Sequence, residues 1–305
     1  MKKIVTYFSI LSLLFLTIPA FVRGEEQRMK FTSNFNQNWL KSIISIEIIE
    51  KNTQDNTEKH MPIGTGFLIM SQNKHLILVT AKHVILDKKT GSIRHNLAYR
   101  LNDKKGDSLL VKEEELNRLE IGSWFLSEDK DLACRFISFA ETSDLSAIPK
   151  DSFLLEQKSI QAGAPILLLG FPLGLRSEKY ALPIARSGII ARVDSENFIV
   201  DVNFYPGNSG GPIIYVPTLK LGEGLNSSLI NDEKLLGLAI EYISYIDTAV
   251  SLQTERPRVT FEENSSLCIA LPANIILCFL EKEDIVKLDD QLNKIAEQKL
   301  NNQRQ

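Results

Sequence analysis

Three residues set far apart in the chain could together carry out nucleophilic chemistry: Ser209, His83 and Asp131. Ser209 lies in Gly207-Asn208-Ser209-Gly210-Gly211-Pro212, between Asp201-Val202-Asn203-Phe204 and Ile213-Ile214-Tyr215. A serine held between glycines on a sharp turn presents its hydroxyl while neighbouring backbone N–H groups can point one way and collect negative charge, as acyl transfer requires. The hydroxyl is a weak nucleophile until a base takes its proton. His83, in Thr80-Ala81-Lys82-His83, follows an apolar strand-forming run, so its ring would be held firmly yet remain reachable. Asp131, in Asp129-Lys130-Asp131-Leu132-Ala133, stands at the start of an alternating strand. A carboxylate facing imidazole Nδ1 fixes the tautomer and stabilises the imidazolium that forms on proton transfer. Residues two apart on an extended chain share a face, so periodicity leaves Asp129 and Asp131 both open. The remaining histidines, His60, His75 and His95, lack such a setting and read as surface or strand residues.

The elements that must position these residues are mostly strands. Residues 42–50 (SIISIEIIE), 64–70 and 75–80 are β-prone runs separated by a charged loop at 51–60 and a hairpin-length turn, an antiparallel meander ending at His83. Residues 87–120 are charged and interrupted, with a strand at 109–111 and a helical turn at 113–119. A polar stretch at 141–158 links two halves. Strands then follow at 165–169, 187–191 and 198–201, the last delivering the chain to the serine turn, and again at 212–216, 235–240 and 267–271. Residues 176–186, 219–232 and 242–263 read as surface loops. After Pro272 a helix is expected over 273–281, and Ile285, Leu288, Leu292 and Ile295 recur at three- and four-residue spacing, an amphipathic helix packed on the body.

The order His83, Asp131, Ser209, each at a strand boundary, resembles that of trypsin-like serine proteases of the chymotrypsin fold, and among them the HtrA-like branch. The resemblance is carried by Gly64-Thr65-Gly66-Phe67 ahead of Thr80-Ala81-Lys82-His83, by Asp131-Leu132-Ala133 and by Gly207-Asn208-Ser209-Gly210-Gly211. Gly170-Phe171-Pro172-Leu173-Gly174 and Ser187-Gly188-Ile189-Ile190 add to it. It implies an all-β fold of two antiparallel six-stranded β-barrels with a C-terminal helical tail, and a serine endopeptidase with a His83/Asp131/Ser209 triad, favouring Asp131 over Asp129. It implies an oxyanion hole at Gly207, Asn208 and Ser209, and substrate contacts at Asn203, Ala239 and Ile240. Asn203 stands where trypsin carries the acid that selects Lys or Arg, so no basic preference is expected. Val202, Ala239 and Ile240 suggest instead a shallow apolar pocket for small or medium aliphatic side chains. The strand at 235–240 would hold the substrate backbone by strand addition. Asn208 replaces the Asp that pairs with a freed N-terminus in zymogen-activated relatives, so activation by propeptide cleavage is not expected. HtrA-like proteins usually carry a PDZ domain after the protease; the tail here is too short for a domain of about 100 residues.

At 305 residues the chain suits one barrel pair: a first half over 25–140, a second over 141–272 and a tail over 273–305. A formal charge of -3 gives no nucleic-acid footprint. Residues 1–24 read as a secretory signal, with Lys2 and Lys3, an apolar run from Ile4 to Leu16, then Pro19 and small residues, with cleavage expected after Ala20 or Gly24. The expected location is therefore periplasmic or extracellular, with membrane contact only if that segment is kept as an anchor. Protein or peptide substrates are expected, with no cofactor and no metal; the residues set no oligomeric state. The three cysteines have no metal spacing: Cys134 reads as a small core residue, and Cys268 and Cys278 fall in a strand and a helix. Two other functions compete. A barrel pair that binds peptides without turnover would carry the same residues, whereas an esterase would set its serine on a strand-to-helix elbow with histidine last.

Overall fold

The structure, a computed structural model, describes residues 35–119, 121–156, 160–176, 179–217 and 233–303. The expected signal segment and the excursion at 219–232 lie outside the described residues. The first half is an antiparallel sheet of seven strands: β1 (Ile43–Lys51), β2 (Glu58–Met70), β3 (Leu76–Thr80), β4 (Leu97–Asn102), β5 (Ser108–Lys112), β6 (Phe125–Leu126) and β7 (Ala133–Ile137). Their order is β5-β4-β1-β2-β3-β7-β6. The expected six-stranded barrel is thus a seven-stranded sheet with edges at β5 and β6, and the two-residue β6 pairs only with β7. Short helices α1 (Asn38–Lys41), α2 (Lys82–Ile85) and α3 (Glu113–Asn117) punctuate it.

The second half is a closed antiparallel barrel of β8 (Pro165–Gly170), β9 (Ile184–Val193), β10 (Phe198–Asp201), β11 (Pro212–Tyr215), β12 (Lys234–Val250) and β13 (Pro257–Pro272), in the order β10-β13-β12-β11-β8-β9. It closes because β9 pairs with both β8 and β10. The loop expected at 242–263 is instead the outer part of a hairpin, in which β12 and β13 stay paired from Gly237↔Pro272 to Val250↔Pro257. Its polar composition hid the alternation of Tyr, Ile, Thr and Val with acidic residues that two paired strands accept.

β1 carries β-branched residues on both faces and is buried along its first half. Its one buried charge, Glu47, is matched from two directions: Arg100 holds both carboxylate oxygens (2.7 and 3.0 Å), and Arg176 reaches in from the turn after β8 at 3.1 Å. One apolar core fills the first sheet and runs on through Phe171, Ile214, Leu238 and Leu271 to the helix α4 (Ala273–Leu280). A second core, with Ile166, Leu168, Phe198, Val200 and Ile213, fills the barrel. At about 1.5–3 kcal/mol for each large apolar side chain buried, these cores fix the frame on which the turns are hung. The expected terminal helices are present as α4 and α5 (Glu283–Gln303). Ile285 is buried, Leu288 and Leu292 pack against the first core, and Ile295 is exposed. His75, read as a plain strand residue, is bound by α5: its Nδ1 lies 2.7 Å from Asp289 Oδ1.

Candidate active site

The β3–β7 pairing sets Thr80 opposite Ala133, so the residues following β3 and those preceding β7 meet at one end of the sheet. That register brings together two side chains 48 residues apart. His83 Nδ1 lies 2.6 Å from Asp131 Oδ2, and the His83 backbone N–H donates to Asp131 Oδ1 at 2.8 Å. Both carboxylate oxygens are thus committed to one residue, which fixes the direction of the ring. Burial pushes the Asp131 carboxyl up, but the hydrogen bonds and charge of His83 outweigh it and hold the group below the ordinary carboxylate range. Asp129 turns elsewhere and accepts the Ser127 hydroxyl at 3.0 Å. The choice that periodicity left open falls on Asp131.

Ser209 sits on the tight turn between β10 and β11. Gly207 has φ 98° and Gly210 φ 83°. A Cβ on Gly207 would lie 2.2 Å from the Phe171 carbonyl oxygen, and one on Gly210 would lie 2.1 Å from that of Thr65. Only glycine fits either place. The turn is pinned from both halves of the molecule: Thr65 on β2 donates its N–H to the Ser209 carbonyl at 2.9 Å and its hydroxyl to the Gly207 carbonyl at 2.6 Å, and the Gly210 N–H donates to the Ala239 carbonyl of β12 at 2.8 Å.

The Pro206 carbonyl accepts the Leu173 N–H at 2.7 Å. Because the peptide unit is planar and trans, the Gly207 N–H must point away from Leu173. Among the described residues the N–H groups of Gly207 and Ser209 have no acceptor, so two donors are left free beside the serine. Asn208 was expected to add a third and does not: its N–H is used on the Tyr205 carbonyl at 3.0 Å. Its side chain is fully buried, and neither amide atom finds a partner among the described residues.

His83, Asp131 and Ser209 line one cleft of about 660 Å³, together with Gly207, Leu173, Phe204, Glu241 and Tyr242. That is room for several residues of an extended peptide. Among the described residues the Ser209 hydroxyl makes no hydrogen bond to His83; such bonds are often long before substrate binds. Asn203, Ala239 and Ile240 do not line the cleft. Asn203 accepts the Ser266 hydroxyl at 3.1 Å. Ala239 is buried, and its N–H and carbonyl are taken by Gly211 and Gly210. Ile240 packs against the first core, and Val202 belongs to the barrel core. The walls are formed by residues that the sequence reading passed over. Phe204 and Tyr242 meet with ring centroids 6.3 Å apart, Glu241 faces the cleft from β12, and Lys88 and Arg94 lie among its lining residues. The ladder between β11 and β12 begins at Pro212↔Leu238, so among the described residues β12 is unpaired on that side once past Ala239. The free edge of β12 therefore begins at Glu241 and Tyr242.

The chain has three free cysteines: Cys134 and Cys268 are buried, Cys278 is exposed, and burial raises the first two thiols far above the ordinary range. Among the described residues no cluster of His, Cys, Asp and Glu could hold a metal ion, and no helix is long and apolar enough to cross a membrane.

Residues 64–217 match the family model described as a trypsin-like peptidase domain. No curated protein sequence matches the chain. A solved structure described as the HtrA-type protease AlgWS227A with tripeptide is similar at 17% identity and a TM-score of 0.42, over 79% of this chain and 59% of that one. This chain thus spans less than two thirds of that protein's length.

Proposed function

The chain belongs to the trypsin-like peptidase family, and on that premise we propose that it is a serine endopeptidase working through His83, Asp131 and Ser209. One observation carries the reading: a histidine whose ring is fixed by a carboxylate at 2.6 Å lines the same cleft as a serine flanked by two unpaired backbone N–H groups. In this mechanism His83 Nε2 takes the proton as Ser209 Oγ attacks a peptide carbonyl, and Asp131 stabilises the imidazolium. The N–H groups of Gly207 and Ser209 meet the oxyanion, a contribution of about 3 kcal/mol for each donor. His83 then gives its proton to the leaving amine, and water repeats the cycle on the acyl-enzyme. The substrate backbone adds along the free edge of β12 at Glu241 and Tyr242. The paired rings of Phe204 and Tyr242 narrow the apolar wall toward small or medium aliphatic side chains. The protein works after export, in the periplasm or outside the cell.

A fluorophosphonate probe tests the reading. Wild-type protein should label at Ser209, and Ser209→Ala protein with an unchanged circular dichroism spectrum should not. A folded wild type that never labels would make this a peptide-binding barrel pair without turnover.

A further inference from the structure

The hairpin of β12 and β13 outgrows the barrel. The last β10–β13 pair is Asp201↔Leu267, so from Ser244 to Asn264 the two strands have, among the described residues, only each other as ladder partners. A two-stranded ribbon of this kind is marginal in water on its own. It nonetheless exposes Tyr245, Ile246, Val250, Val259 and Phe261 at more than half their surface each, and Leu252 at its tip completely. Paired residues share a face, so Tyr245, Ala249, Val259 and Phe261 form one apolar side, interrupted by Asp247 and Glu263.

We propose that this arm is a dimerisation element, with the outer edge of β13 pairing antiparallel to β13 of a second copy about a two-fold axis through Thr260. The sequence Arg258-Val259-Thr260-Phe261-Glu262 is self-complementary in that register. Arg258 faces the partner's Glu262, Glu262 faces the partner's Arg258, and Val259 meets the partner's Phe261. Among the described residues Arg258 has no ion-pair partner within its own chain. Two-fold symmetry requires paired residues to lie on one face, so the axis can only pass through a residue. Moved to Val259, it opposes Glu255 to the partner's Glu263; moved to Phe261, it leaves Arg258 opposite the partner's Asn264. Edge β12 offers no equivalent, since pairing about Thr248 matches no charges and pairing about Asp247 opposes two carboxylates. The ion pairs fix register. Affinity comes from merging two ribbons into a four-stranded sheet whose apolar residues become contiguous.

This inference does not depend on catalysis and is tested on the full chain carrying Ser209→Ala. Sedimentation velocity should find a dimer. Arg258→Glu should weaken it about tenfold or more, and adding Glu262→Arg should restore it. The restoring pair is needed because Glu262 also accepts the Ser244 and Tyr242 hydroxyls at 2.6 and 3.3 Å, so its single variant would disturb the cleft wall as well. In a Cys278→Ser background, Thr260→Cys should form a disulfide between copies on mild oxidation, because opposed Cα atoms about 4.5–5.5 Å apart lie within disulfide reach. Thr248→Cys should not. A chain that stays monomeric, or a dimer indifferent to both Arg258→Glu and Phe261→Asp, overturns the proposal. A monomer that floats with anionic lipid vesicles overturns it in favour of a membrane contact.

Discussion

The hydroxyl of Thr65 donates to the Gly207 carbonyl at 2.6 Å, so a residue of the first sheet holds the serine turn of the barrel. The same oxygen accepts the Phe171 N–H at 3.1 Å, and the Thr65 carbonyl accepts the Thr80 hydroxyl at 2.7 Å just ahead of His83. The turns that carry His83 and Ser209 are therefore registered through one fully buried residue, by its side chain on one side and its backbone carbonyl on the other.

Replacing Thr65 by Val keeps the shape and removes the hydroxyl. Two buried backbone groups, the Gly207 carbonyl and the Phe171 N–H, then lose their partner, at a cost of about 1–3 kcal/mol in unfolding free energy. The Gly207 peptide also loses its anchor, and small misplacements of this kind cost up to about a hundredfold in rate. Urea unfolding together with the fluorophosphonate labelling rate checks both. Slower labelling of a fully folded variant is expected; an unchanged rate would mean that the backbone bonds, from Leu173 to Pro206 and from Thr65 to Ser209, hold the turn without the hydroxyl.

Asp131 predicts a pH dependence of stability. Its carboxyl is held below the ordinary carboxylate range when folded, so the unfolded chain takes up the proton first as pH falls. The stabilisation is therefore complete above about pH 5, begins to fade near the unfolded value of about 3.9, and is lost as pH falls through the folded value. Asp131→Asn removes the charge and should be less stable than wild type at neutral pH by an amount that shrinks in acid. Parallel denaturant titrations from pH 7 to about pH 3 test this; a gap that widens on acidification would contradict the assignment.

The residues proposed to do the chemistry are legible because each belongs to a short local pattern: a histidine after an apolar strand, a carboxylate before one, a serine among glycines. The residues that shape substrate contact were not, because Phe204, Glu241 and Tyr242 meet only after β12 has paired and the barrel has closed. Thr65 reads as a small residue between two glycines; its role exists only across the junction of the two halves. β4 (LAYRLN) went unread because polar residues flank a short apolar run, and it is buried through contact with β1. The arm failed for the opposite reason: its alternation is real, but no core stands behind it to make the pattern amphipathic. Apolar spacing alone predicts helix α5, whereas the polar clasp that seats it leaves no local signal, since Asp289 stands more than 200 residues from Ser71 and His75.

Asn208 occupies the position before Ser209 with both amide atoms buried and, among the described residues, unpartnered. An aspartate there would bury a carboxylate with no cation among the described residues to meet it. Asn208→Asp should destabilise the fold by several kcal/mol at neutral pH. Its carboxyl would be pushed up by burial, so the penalty falls as pH drops and the group takes up a proton. Thermal unfolding at pH 7 and pH 5 measures the difference, and a variant as stable as wild type at neutral pH would reveal a cationic partner for this site.

Asp289 seats helix α5 on the far end of β3 from His83. It is 5% exposed and accepts four hydrogen bonds: from the Ser71 hydroxyl and the His75 ring at 2.7 Å each, and from the Asn73 amide side chain and backbone at 3.1 and 3.2 Å. Asp289→Ala leaves Ser71, a buried donor, without its acceptor and removes bonds to a charged group, which together cost about 3 kcal/mol. Deleting residues 284–305 removes the same clasp and also the packing of Ile285, Leu288 and Leu292 on the first core, so it should destabilise more than the point variant. The histidine turn is at the opposite end of the strand, so the folded fraction of either protein should label at Ser209 at the wild-type rate. Urea unfolding combined with labelling below the transition separates the two effects: a loss of stability with unchanged labelling marks α5 as a brace, whereas a labelling rate that falls with the helix removed would make it part of the site.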